Sequence, residues 1–168
     1  MNDFLIFIYG NPIAQTIREN ELLFPWIEAL HVLAITSVIG SIALVDLRLI
    51  GLRALNRPIS IITQELLPVT WIAFVIAAIT GIILFASNAL SYSQNFYFIS
   101  KMGLLTLAGI NMLTFQFLIG RNLERWNHYQ QLPIPARIAG AISLTLWISI
   151  IFCGRWIGFT LEPVLAIS

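Results

Sequence analysis

Four long apolar stretches alternate with shorter polar segments along this chain, and each is long enough to cross a bilayer. About 20 apolar residues rising 1.5 Å each match a hydrocarbon core of about 30 Å. The predicted spans cover residues 24–46, 67–88, 101–119 and 137–160. The pattern therefore predicts an all-α integral membrane bundle of four transmembrane helices.

A shorter amphipathic stretch, residues 4–20, precedes the first span. Its apolar positions between residues 13 and 17 lie on one side of a helix, opposite Gln15 and Arg18. Asp3 stands where a signal peptide would carry its basic region. We expect residues 4–20 to remain on the protein and to form an interfacial segment on the membrane surface.

Composition supports a membrane protein. Of the 168 residues, 58% are hydrophobic and only 10% are charged, whereas about a quarter are charged in soluble domains. Nine Lys and Arg balance eight Asp and Glu, so no concentrated basic face indicates a nucleic-acid partner. The expected partner is the lipid bilayer, and the sequence leaves open other membrane subunits or a homodimer.

Small residues and prolines indicate how the spans begin and where they touch. Pro68 is expected in the first turn of the second span, where a missing N–H costs little. Small residues let helices approach closely, and we expect such contacts at Gly81 in the second span and at Gly103 and Gly109 in the third.

The distribution of basic residues predicts the orientation, because cytoplasmic connections are enriched in Lys and Arg. Six of the nine fall in or beside the first and third connections, which should therefore be cytoplasmic. Both termini then lie on the outer side. The six residues are Arg48, Arg53, Arg57, Arg121, Arg125 and Arg137.

The first span carries ionisable residues that lipid-facing helices avoid. Glu28 and His31 are three residues apart and are neighbours on a helix. Asp46, eighteen residues beyond Glu28, falls on the same stripe near the other membrane surface. Such groups should face protein or water, because an ionisable side chain at the centre of a span costs about 2.5 to 3.5 kcal/mol.

The predicted topology brings five polar residues from all four spans into the outer third of the membrane. A Glu28–Arg155 ion pair would stabilise both charges there, with Gly154 and Gly158 as a close helix contact. Two interpretations remain open, a purely structural cluster and an outward-opening site for a small ligand. The candidate ligand-binding residues are Glu28, His31, Asn88, Lys101 and Arg155.

Several chemistries fit such a site, but no catalytic set is visible. The first hypothesis is a non-enzymatic accessory or small-ligand-binding subunit. The alternatives are haem or quinone binding for electron transfer, and a proton or small-solute conduit. For haem b, His31 is the candidate ligand, paired with Met102 or with His31 of a second copy, because His128 falls on the opposite side of the membrane. Glu28 and His31 alone offer too few metal ligands.

A series of motifs from Pro25 to Phe159 resembles a known family. The series includes P-x-x-E-x-x-H from Pro25 to His31, D-L-R-L-x-G from Asp46 to Gly51, Thr80-Gly81, and Gly154-Arg155. It resembles a family of small bacterial four-helix membrane proteins catalogued as a domain of unknown function. The resemblance implies a four-helix protein of the bacterial inner membrane, with no established activity.

The topology is testable with reporter fusions at Arg57 and at the C-terminus. We expect the Arg57 fusion to report the cytoplasm and the C-terminal fusion to report the outer side, because of the six-to-three division of basic residues. A cytoplasmic C-terminus would overturn the orientation.

Overall fold

The computed structural model describes residues 2–51, 59–119 and 132–161, and these residues are almost entirely helical. Four helices are long and apolar enough to cross a membrane, which confirms the predicted all-α membrane protein with four spans. The helices are α1 Asn2–Tyr9, α2 Pro12–Glu19, α3 Leu23–Ile50, α4 Ile59–Ser87, α5 Ala89–Gln94, α6 Phe96–Thr114 with a π-helical continuation Phe115–Ile119, and α7 Ile134–Thr160. The spanning helices are α3, α4, α6 with its continuation, and α7.

The spanning helices begin earlier than the apolar stretches do. Helix α4 begins at Ile59, so Pro68 lies inside the helix and the prediction that it occupies a first turn is wrong. Hydropathy marks the part of a helix that suits lipid, whereas backbone hydrogen bonding continues through the polar turns beside it. At its other end α3 runs to Ile50 and stops at Gly51, whose φ of 110° is favourable only for glycine.

The four spans pack in the order α4, α3, α7, α6. Helix α3 packs against both α4 and α7, and α7 also packs along α6. Within the described part of the chain, no comparable contact joins α4 to α6. The side of the bundle between α4 and α6 is therefore less closely packed than the other three.

Polar side chains link neighbouring helices in the middle of the bundle. The Thr70 hydroxyl of α4 lies 2.8 Å from the Ser41 hydroxyl of α3. The Asn111 amide of α6 donates to the Ala139 carbonyl of α7 at 3.1 Å. Each link satisfies polar groups where no water is available, so these bonds help to fix the rotation of each helix.

Helices α3 and α7 approach each other closely at Gly140 of α7. A Cβ atom there would lie 2.9 Å from Leu49 Cβ and 3.1 Å from the Asp46 carbonyl oxygen of α3. Only glycine fits this contact without movement of a backbone. By contrast, no described residue lies within 4 Å of a Cβ built at Gly103 or Gly109, so the predicted contacts at those two residues are wrong.

The upper end of the bundle, where α3 and α6 begin and α4 and α7 end, is held by two polar side chains. Arg18 of α2 donates to the carbonyls of Ser87 at 3.0 Å and Tyr9 at 3.5 Å, and its guanidinium lies 3.9 Å from the Tyr9 ring centroid. Asn95 caps α6 and donates to the Thr160 carbonyl at 3.1 Å. Residues 4–20 thus form two short helices at this end, and their interfacial position stays a prediction.

The glycine contacts predict opposite effects for two matched substitutions. Gly140→Ala should destabilise the protein by about 1 to 3 kcal/mol, because its methyl group meets Leu49 and a backbone carbonyl. Gly109→Ala should be neutral or stabilise by up to about 1 kcal/mol, since alanine is the better helix former and the space is open. Thermal unfolding in detergent compares the two, and equal effects would contradict the packing.

Candidate functional site

His31 lies one helical turn beyond Glu28 on α3 and its ring is bound by α4. Its Nδ1 is 2.8 Å from the Thr80 hydroxyl oxygen. A Cβ atom at Gly81 would lie only 3.0 Å from His31 Cε1. Helix α4 therefore provides both a hydrogen-bond partner and, at Gly81, the space in which the imidazole fits. This confirms Gly81 as a helix contact.

The surroundings of Thr80 determine which imidazole nitrogen carries the proton. The Thr80 hydroxyl lies 2.7 Å from the Ile76 carbonyl, which can only accept. A hydroxyl has one proton, so we assign it to Ile76 and assign donation to His31 Nδ1. The Ala77 carbonyl is a further acceptor beside the same ring. In the neutral imidazole, Nε2 then keeps its lone pair and can accept a proton or a hydrogen bond.

Lys101 lies in the second turn of α6, half-buried, with its ammonium directed toward α7. Its Nζ is 3.8 Å from the position of a Cβ atom built at Gly154. The Cys153 thiol and the His31 imidazole are both close enough to interact with it electrostatically. Among the described residues, no hydrogen bond or ion pair holds this ammonium. Its donors are therefore free for another partner.

An aromatic cluster, defined here as Phe85, Tyr92 and Phe98, joins α4, α5 and α6 at the upper end. Phe85 and Phe98 stack with ring centroids 5.4 Å apart, and Tyr92 is 5.3 Å from Phe98. Burial raises the pKa of Tyr92, and the nearby Glu28 carboxylate raises it further. Glu28 itself is exposed, so it lies toward this cluster at the rim of the bundle.

The other two predicted site residues lie apart from His31 and Lys101. Arg155 is exposed on α7, with its guanidinium 4.9 Å from the Phe159 ring centroid. No ion pair joins it to Glu28 in the described ranges, so that predicted pair is wrong. Asn88 occupies the junction of α4 and α5, where its amide lies 3.5 Å from the Ser87 hydroxyl.

The rotation of α7 explains why Arg155 misses the site. Cys153 and Ile157 are 8% and 7% exposed and mark the face of α7 that packs inside the bundle. Arg155 is two positions from each, which places it on the opposite side of the helix. Gly158 has nothing within 4 Å of a Cβ position, so the expected close contact of both Gly154 and Gly158 with a neighbouring backbone is not formed.

The polar stripe predicted along α3 divides between two neighbours. His31 binds α4, whereas Asp46, only 5% exposed, lies close to Ser143 of α7 and keeps one carboxylate oxygen, Oδ2, without a hydrogen-bond partner in the described chain. Between them Ser41 binds Thr70 of α4. Most of the stripe therefore contacts neighbouring helices. His31 is the residue of the stripe that interacts electrostatically with the unpaired Lys101 ammonium.

An electrostatic interaction thus links two of the five predicted residues, in what we call the His31–Lys101 site, comprising His31, Thr80, Gly81, Lys101 and Gly154. The sequence pattern gave Thr80 no role beyond its place in the family-like series. Its position eight residues before the end of the predicted span, beside a glycine, was the available signal.

The described ranges bring together no group of three or more His, Cys, Asp or Glu residues that could hold a metal ion. Met102, the predicted partner of His31 in haem ligation, has 41% of its side chain exposed on α6. His128 lies outside the residues that the structure describes.

Comparison with known families identifies the group to which the sequence is related. A model of the family of unknown function DUF6644 matches residues 21–160. The chain belongs to this family. The matched region contains all five predicted site residues and the helices α3 to α7, whereas α1 and α2 precede it. The match confirms the resemblance, and no curated protein or solved structure matches the chain.

The proximity of Glu28 and Tyr92 can be tested by titration. Glu28→Gln removes one cause of the raised pKa of Tyr92, so the phenol should ionise at lower pH than in the wild type while burial still holds it above its ordinary value. The folded state favours the neutral phenol, so its contribution to stability is present below about pH 10 and is lost as pH rises through the raised pKa.

Tyrosinate absorbance measures this effect once the titration of a Tyr92→Phe variant has been subtracted. Glu21→Gln is the matched control, because this exposed carboxylate lies outside the spans, just before α3. An unchanged Tyr92 titration in Glu28→Gln would place Glu28 away from the cluster.

Proposed function

We propose that this protein is a multi-pass membrane subunit without turnover of its own, which binds a small acidic ligand at the His31–Lys101 site. The observation that carries the proposal is the Lys101 ammonium, which lies within a candidate span and has no acidic partner among the described residues. An intramembrane ionisable residue without such a partner is the usual mark of a functional site.

The cost of an unpaired charge within a span favours an anion at this position. An ammonium at the centre of a span costs about 2.5 to 3.5 kcal/mol and somewhat less near its end. An acidic group placed against Lys101 would offset that cost through a charge-assisted hydrogen bond. His31, held by Thr80 at 2.8 Å, provides a second and directional contact beside it.

The remaining predicted residues would have supporting roles. Glu28, Asn88 and Arg155 lie at the same end of the bundle as the site but do not surround Lys101. We propose that Arg155 and Glu28 lie at the rim that a ligand passes. In a bacterial inner membrane with both termini outside, this rim would face outward.

A quinone site for electron transfer is the second candidate. The unused lone pair at His31 Nε2 and the ammonium of Lys101 are the polar groups that a quinol hydroxyl could contact. The aromatic cluster of Phe85, Tyr92 and Phe98 lies at the same end. A proton conduit is less well supported, because Ser41, which lies between His31 and Asp46 on α3, is engaged with α4.

Native mass spectrometry of the protein purified from bacterial membranes in a mild detergent tests the proposal. We expect the wild type to retain a bound acidic molecule that Lys101→Met loses, because methionine keeps the length of the side chain and removes its charge. Arg137→Met is the matched control, since it removes an exposed cation of α7 that has no proposed role in the site and should retain the adduct.

Folding is followed in the same samples by thermal unfolding. Lys101→Met should unfold at the same or a higher temperature than the wild type, because it removes a charge that has no partner within the described chain. Identical adducts in the wild type and Lys101→Met would contradict the proposal. If Lys101→Met does not fold, His31→Gln provides the same comparison.

A further inference from the structure

We infer that the ligand of the His31–Lys101 site is a membrane lipid with a phosphomonoester head group, an acid that retains one hydroxyl. This inference rests on the proposed binding of an acidic ligand and adds its chemical class and its route of entry. It follows from the hydrogen-bonding requirements of the two side chains together with the packing of α4 and α6.

The Lys101 and His31 side chains require different hydrogen-bonding groups on the ligand. The Lys101 ammonium is only a donor and needs an acceptor, best an anionic oxygen. With the proton assigned to Nδ1, the neutral His31 ring donates to the Thr80 hydroxyl at 2.8 Å, and its Nε2 is then only an acceptor and needs a donor. The head group must therefore present an anionic oxygen and a hydroxyl close together.

Among common acidic head groups, a singly protonated phosphomonoester meets both requirements. One of its oxygens carries the negative charge that Lys101 binds, and its hydroxyl can donate to His31 Nε2. A phosphodiester has the charge but no hydroxyl on phosphorus, and an ionised carboxylate has no donor at all. Unless such a head group carries a separate alcohol, an anionic oxygen would face the His31 lone pair.

The packing favours a ligand that comes from the bilayer. Lys101 belongs to α6 and the Thr80 and Gly81 pair to α4, and these two helices lack the close packing that joins the other neighbours in the described chain. The stacked Phe85 and Phe98 rings connect them at the upper end. Below these rings, an apolar chain can occupy the side between α4 and α6 while the head group lies against Lys101.

The test measures lipid binding to the purified protein at pH 6.5, where the neutral imidazole and the singly protonated phosphomonoester are both populated, since their ordinary pKa values are about 6.5 and about 6. Phosphatidic acid is the phosphomonoester probe, phosphatidylmethanol the phosphodiester probe without a hydroxyl, and glycerol 3-phosphate the soluble phosphomonoester. We expect the wild type to bind phosphatidic acid at least about tenfold more tightly than phosphatidylmethanol, the effect of one hydrogen bond to a charged group. Lys101→Met should lose this binding, and Arg137→Met, which removes an exposed cation of α7 outside the site, should keep it.

The outcomes separate the inference from the proposed function. Equal binding of the two lipids, lost in Lys101→Met, would overturn the phosphomonoester and leave an acidic ligand at the site. Tighter binding of glycerol 3-phosphate than of phosphatidic acid would overturn entry from the bilayer. Displacement of bound lipid by a quinol would support the quinone site instead. Binding that is independent of Lys101 would contradict both the phosphomonoester inference and the proposed function.

Discussion

Hydrocarbon offers no water to a polar side chain, so each such group within a span has to find its partner in the protein. Most polar groups in this bundle do. Thr70 binds Ser41, and Asn111 binds the Ala139 carbonyl. Among the described residues, Asp46 Oδ2 and Arg48 Nε near the lower end of α3 are buried without a partner, and the Lys101 ammonium beside Gly154 has no hydrogen-bond acceptor. The proposed binding of an acidic ligand at Lys101 follows from this contrast.

The same constraint fixes how the helices are rotated. Helix α3 has to satisfy His31 on α4 and Asp46 on α7, two partners on different sides of the helix. Gly140 then allows α7 to approach α3 so closely that a methyl group would overlap Leu49. These contacts allow little change in the rotation of the helices within the core of the bundle. The side between α4 and α6, which has no comparable polar link in the described chain, is the one available to a ligand.

The sequence was sufficient to predict the four spans and the end of the bundle at which the polar residues lie, because the length and hydropathy of a span depend on the bilayer alone. It was not sufficient to predict which residues meet. The rotation of α7 separates Arg155 from Glu28, and the buried pair Cys153 and Ile157 defines that rotation at this end of the helix. Thr80 illustrates the same limit, since a threonine in an apolar run usually bonds to its own helix. Here it bonds to Ile76 and also binds a histidine from α3.

The protonation of His31 tests the account most directly, because the proposed ligand chemistry depends on which imidazole nitrogen is free. Nitrogen NMR of the histidine-labelled protein in bilayers, with His128→Gln leaving a single histidine, distinguishes the two nitrogens. At pH 8, above the ordinary imidazole pKa of about 6.5, the account predicts a proton on Nδ1 and none on Nε2. Thr80→Val should weaken that preference. A wild-type spectrum with the proton on Nε2 would contradict the assignment and the head-group chemistry built on it.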